Sequence, residues 1–131
     1  MPIEVRWNTE DQELLCYQFD GKWTWDDLYE AVHQANLILD AVERPTPVIV
    51  DVSGISGIPS GAMSQASGLM RRSHPNISFT VIVGANRFVR MMADMFTKLR
   101  PQSPHTYYFV TTLEEAYRVI QEKQVAEPDE M

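Results

Sequence analysis

Val48-Ile49-Val50-Asp51-Val52-Ser53-Gly54-Ile55-Ser56-Gly57-Ile58-Pro59-Ser60-Gly61-Ala62-Met63 is the stretch whose reading decides the fold. Val48 to Val52 is a short run of β-branched residues with apolar side chains on both alternating faces, the pattern of a buried central strand. Gly54, Gly57 and Gly61, interleaved with Ser53, Ser56 and Ser60, then break that pattern and predict a turn. From Ser60 to Ser73 the apolar residues Met63, Ala66, Leu69 and Met70 take helical spacing. Gly61 and Gly68 weaken that helix by about 1 kcal/mol each relative to alanine. A strand that feeds a helix through such a turn belongs to an open α/β sheet, where ligands and partners meet the carboxyl ends of the strands.

On the amino-terminal side, Ile3, Val5 and Trp7 alternate with polar residues, and Leu14 to Phe19 reads as a second strand paired with them as a hairpin. Asp20-Gly21 ends it. Thr24 and Asp27 have the spacing of a capping box, and Trp25, Leu28, Val32, Ala35, Leu39 and Val42 form one helical stripe up to Glu43-Arg44-Pro45. His33 falls off that stripe, on the solvated side. On the carboxyl side come a strand at 77–83, a turn at Gly84-Ala85-Asn86, and a helix from Phe88 to Leu99 ended by Pro101. A last strand at 106–110 leads to a helix through Ile120, capped by Thr111 or Thr112 with Glu114 or Glu115. The expected fold is α/β: a mixed, mainly parallel sheet of about five strands in the order β-β-α-β-α-β-α-β-α, with about four helices. Residues 1–123 form one domain, and the acidic 124–131 a frayed tail.

With 131 residues the chain is long enough to bury a core without staples. A net charge of −7 opposes nucleic-acid binding. Residues 71–100 depart from that balance, with Arg71, Arg72, Arg87, Arg90, Lys98 and Arg100 against Asp94 alone, a local +5. Such a face suits an acidic partner or a phosphorylated group, although Arg71 and Arg72 also suit a helix carboxyl terminus. The lone Cys16 precludes an internal disulfide. The first residues show no signal-peptide pattern and no apolar run is long enough to span a membrane, so a cytoplasmic protein is expected.

Catalytic and metal-binding patterns are missing from the sequence. His33, His74 and His105 have neither each other nor a cysteine at ligand spacing, and no metal or cofactor is expected. Gly57-Ile58-Pro59-Ser60-Gly61 places its serine one position too late for a nucleophile elbow. The glycines fit neither a dinucleotide fingerprint nor a phosphate loop. The chain therefore reads as a non-enzyme. Asp51 either organises the loop by accepting turn amides or serves as a site residue. Ser60 either caps the following helix or stands exposed, where a phosphate would meet a helix amino terminus.

The order of elements, together with Asp51-Val52-Ser53-Gly54-Ile55 and Ile58-Pro59-Ser60-Gly61, resembles the STAS domains, the anti-sigma-factor antagonists and their relatives. More closely, it is similar to the uncharacterised bacterial STAS-like branch of that superfamily, which also holds the CRAL-TRIO lipid carriers. In antagonists the loop runs Asp-Leu-Ser, five residues, then Asp-Ser-Ser-Gly, and a partner kinase phosphorylates the first serine of the second group. Asp51 and Ser53 match without gaps, and Ser60 falls on the phosphorylated serine. Pro59, Gly61 and Ala62 stand where that pattern has Asp, Ser and Gly.

The resemblance implies a regulatory module that binds a protein partner, with Asp51, Ser53, Ser60, Asn86 and Arg87 as docking or phospho-switch residues. The alternative is a carrier or sensor of a small apolar ligand. Met63, Met70, Phe88, Met91, Met92 and Met95 would line its site, because methionine adapts to irregular apolar shapes. The same residues would also serve a homodimer or simply fill the core.

Overall fold

The computed structural model describes residues 2–7, 14–55, 57, 59–61, 64–65, 74–84 and 107–126. Five strands, β1 (Ile3–Trp7), β2 (Leu15–Gly21), β3 (Thr46–Ile55), β4 (Ile77–Val83) and β5 (Tyr107–Val110), form one sheet in chain order. The β1–β2 hairpin is antiparallel, while β2–β3, β3–β4 and β4–β5 are parallel. The mixed, mainly parallel sheet expected from the sequence is present. Two helices, α1 (Trp25–Asp40) and α2 (Leu113–Ala126), are found among the described residues. The other expected helices, after β3 and after β4, fall largely on residues 66–73 and 85–100, outside those described, though Ser64 and Gln65 are helical.

The central strand is apolar on both faces because each face is covered. Val48 and Val52 point into a core with Ile3, Leu15, Tyr17 and Phe19 of the sheet and Ala31, Ala35 and Leu39 of α1. Ile49 points the other way, into a core with Cys16, Phe79, Val81 and Val83 and with Ala116 and Ile120 of α2. The two helices thus cover opposite faces, α1 over β1 and α2 over β4. Full burial of each such aliphatic side chain is worth about 1.5–3 kcal/mol.

Both helices begin at the caps the sequence prescribes. Thr24 Oγ1 accepts the Asp27 amide at 3.1 Å and the Asp27 carboxylate accepts the Thr24 amide at 2.9 Å, a complete capping box. Thr112 Oγ1 accepts the Glu115 amide at 3.2 Å, while Glu115 Oε1 accepts the Thr111 amide at 2.8 Å. At the far end of α1 the Asn76 side-chain amide donates to the carbonyls of Leu39 (3.1 Å) and Val42 (2.8 Å). His74 Nδ1 accepts the Asn76 amide at 3.0 Å, leaving Nε2 to donate to Asp40 Oδ1 at 2.8 Å. The Asn76 side chain thus satisfies carbonyls that a helix end otherwise leaves open, and His74 ties the Asp40 carboxylate beside it.

Candidate functional site

The carboxyl end of β3 carries an irregularity that the strand pattern alone does not show. Gln18 pairs with Asp51 and Asp20 with Gly54, so β3 gains one residue over β2 just after Asp51. An extra residue of this kind bends a strand and re-aims the side chains beside it. Val52 stays in the core and Ser53 turns out to solvent.

Asp51 is buried, and its Oδ1 accepts both the Ser53 amide at 3.0 Å and the Ser53 hydroxyl at 2.6 Å. This is the loop-organising role, a carboxylate closing a turn onto the amide two residues ahead. The backbone of Ser53 is gripped from the other side by Gly84 at the end of β4. A Cβ on Gly84 would stand 2.7 Å from Ser53 Cβ and 2.9 Å from its Cα, and the residue has φ +74°. Only glycine fits there, and its amide donates to the Val110 carbonyl at 2.9 Å. Three strand ends, those of β3, β4 and β5, are thereby drawn together around Ser53.

Cys16 shares the α2 side of the sheet with Asp51 and is buried. Burial pushes its thiol up, the Arg6 charge opposes this, and the Asp51 carboxylate adds to the rise. It is a packing residue and not a poised nucleophile.

Beyond Ile55 the chain is held from α1 and its lead-in. Trp23 Nε1 donates to the Gly57 carbonyl at 3.1 Å, and Trp25 Nε1 donates to the Ser60 carbonyl at 2.7 Å. The two indoles meet edge to face with centroids 5.0 Å apart, and Trp23 meets the buried ring of Phe19 in the same way at 5.2 Å. One turn further along α1, the Tyr29 hydroxyl donates to Gln65 Oε1 at 2.6 Å.

Ser60 is exposed. It is not the helix cap: the Gln65 amide donates to the Gly61 carbonyl at 3.1 Å, so Gly61, with φ +90°, takes the position where the helical bonding starts. Of the two roles open to Ser60, the exposed one is observed.

Asp51, Ser53 and Ser60 therefore lie along one strand end and the loop that leaves it. Asn86 and Arg87 fall outside the described residues, as do Met63, Met70, Phe88, Met91, Met92 and Met95. Trp23 and Trp25 are not among the site residues that the sequence suggests. Their signal was two indole donors flanking a helix cap in a chain whose Gly/Ser loop has carbonyls to satisfy. Among the described residues no three of His, Cys, Asp and Glu come together to hold a metal ion. No described helix is long and apolar enough to cross a membrane.

Neither a family model nor a curated protein matches the chain. Solved structures do. An uncharacterized protein of the DUF3478 family with a SpoIIAA-like fold, from Shewanella loihica PV-4, superposes with a TM-score of 0.63 at 15% identity, over 88% of this chain and 90% of that one. The fold is STAS-like. The anti-sigma factor antagonist SpoIIAA in its unphosphorylated form also matches, with a TM-score of 0.51 at 18% identity, over 91% of this chain and 97% of that one. The STAS-like assignment made from the Asp51–Gly61 segment and the order of elements thus holds for the fold.

Proposed function

We propose that this STAS-like chain is a non-enzymatic regulatory module that docks a protein partner at the carboxyl edge of β3. Ser53 and Ser60 are the contact residues in this reading, joined by Asn86 and Arg87 from the segment after β4. The observation that carries it is the pairing of exposure with constraint: both serines face solvent on backbone fixed by Asp51, Gly84 and two indoles. A surface held in one geometry before binding loses less entropy on association. The likeness to an anti-sigma factor antagonist supports a regulatory use of the fold.

The finer reading is that Ser60 is the point of control in a cytoplasmic protein. A phosphate on its exposed hydroxyl would add about −1.5 to −2 charges at neutral pH and change which partners fit. Pro59 stands where the antagonists have an acidic residue, so a kinase that modifies Ser60 would recognise the loop by its shape.

The test is affinity capture from the native host with the wild-type chain, Ser60→Ala and Ser60→Asp, together with native mass spectrometry. A protein retained by wild type and Ser60→Ala but lost from Ser60→Asp is the expected result. Identical capture by all three variants would remove the switch. An apolar adduct that leaves on denaturation would favour the carrier reading, in which the methionine-rich segments hold cargo.

A further inference from the structure

We propose that α1, not the sheet, sets the position of the Ser60 loop, with Trp25 as its positioning residue. The pairing of β3 with β2 ends at Ile55. Among the described residues, the side-chain ties from other elements beyond that point come from α1 and its lead-in: Trp23 to the Gly57 carbonyl, Trp25 to the Ser60 carbonyl, and Tyr29 to Gln65. At its other end α1 holds the return of the same connection, through Asn76 on the Leu39 and Val42 carbonyls and His74 on Asp40. The described residues at both ends of the link from β3 to β4 are thus tied to one helix and its flanking residues.

The chemistry of these ties favours a latch that can open. Indole N–H is a neutral donor with no acceptor role, so each bond fixes one carbonyl in one direction. Both indole bonds end on backbone carbonyls, so they do not depend on which side chains the loop carries. The donors cannot drift far, because Trp25 leans on Trp23 and Trp23 on the buried Phe19. A single neutral hydrogen bond is also weak enough for a binding event at Ser60 to break. Displacement of Ser60 and loss of the Trp25 bond to its carbonyl are then one equilibrium, while the capping box keeps the first turn of α1 in place.

This inference deepens the docking reading and rests on it for its purpose, but its test is separate. Amide hydrogen exchange would be followed by NMR in the full chain for wild type and Trp25→Phe, which keeps a ring and deletes the N–H. The Gln65 amide, bonded to the Gly61 carbonyl one residue past the latch, should exchange about two to ten times faster in Trp25→Phe. The Val50 and Val81 amides in the sheet should be unaffected. Unchanged exchange at Gln65 would overturn the inference even if Ser60 binds a partner, as would an equal rise at Val50 and Val81. If Trp25→Phe fails to fold, Trp23→Phe gives the same readout through the Gly57 carbonyl. Failure to capture any partner would instead sink the docking reading and leave the exchange result standing.

Discussion

At the scale of single residues, the site depends on a contact between two main chains. Gly84 and Ser53 approach so closely that a methyl group has no room, and the atoms it would meet include the Ser53 Cα and amide nitrogen, which cannot swing aside. The positive φ of Gly84 adds to the strain of any substitution. Gly84→Ala should therefore lower stability by about 1–3 kcal/mol, read from urea denaturation midpoints. It should also shift the amide resonance of Ser53 more than that of Ile3 at the far edge of the sheet. A wild-type midpoint would show that β3 and β4 do not press together at this end.

At the scale of elements, α1 is the piece on which most depends. Its inner side packs Ala31, Ala35 and Leu39 on the sheet, its start is closed by Thr24 and Asp27, and its end is closed by Asn76. Thr24→Ala removes the acceptor of the Asp27 amide, at an expected cost of about 0.5–2 kcal/mol. The loss should appear in thermal unfolding as a lowered midpoint, with Thr24→Ser restoring most of it. A Thr24→Ala midpoint equal to wild type would show that the capping box is not formed in solution. The inner stripe is only partly legible in the sequence. Ala35 and Leu39 were expected to be buried, but Ala31 also packs inside, and Trp25 spends its ring on Trp23 and its N–H on Ser60. A stripe drawn from period alone ranks residues by hydrophobicity, whereas a close helix–sheet approach selects small ones such as alanine.

At the scale of the whole molecule, the sheet with a helix on each face buries a titratable ring in its α1-side core. Tyr17 is buried, and loss of solvation raises its phenol well above the ordinary 10.0. In the unfolded chain Tyr17 ionises from about pH 10 upward, while the folded chain keeps the proton. Its contribution is thus fully present below pH 10 and is lost as pH rises toward the folded value. Urea midpoints should fall between pH 9 and pH 11, and Tyr17→Phe should show a shallower fall over the same interval. Equal slopes for the two proteins would mean that Tyr17 is solvated in the folded state.

By itself the sequence determined what short-range chemistry controls. The period-2 run at Ile3–Trp7, the β-branched run at Val48–Val52, the Thr24–Asp27 box and the Thr112–Glu115 cap each lie within a few residues of chain. Their order then dictated a hairpin followed by parallel crossovers. The same local rules placed Asp51 and Ser53 at a strand end and Ser60 in the loop beyond it. Only the tertiary structure decided what holds that site. The indoles of Trp23 and Trp25 meet carbonyls 34 and 35 residues away, and Gly84 meets Ser53 across two neighbouring strands. The residue that β3 gains after Asp51 exists only relative to the register of β2. None of these has a spacing signature, because each depends on which elements the assembled sheet brings side by side.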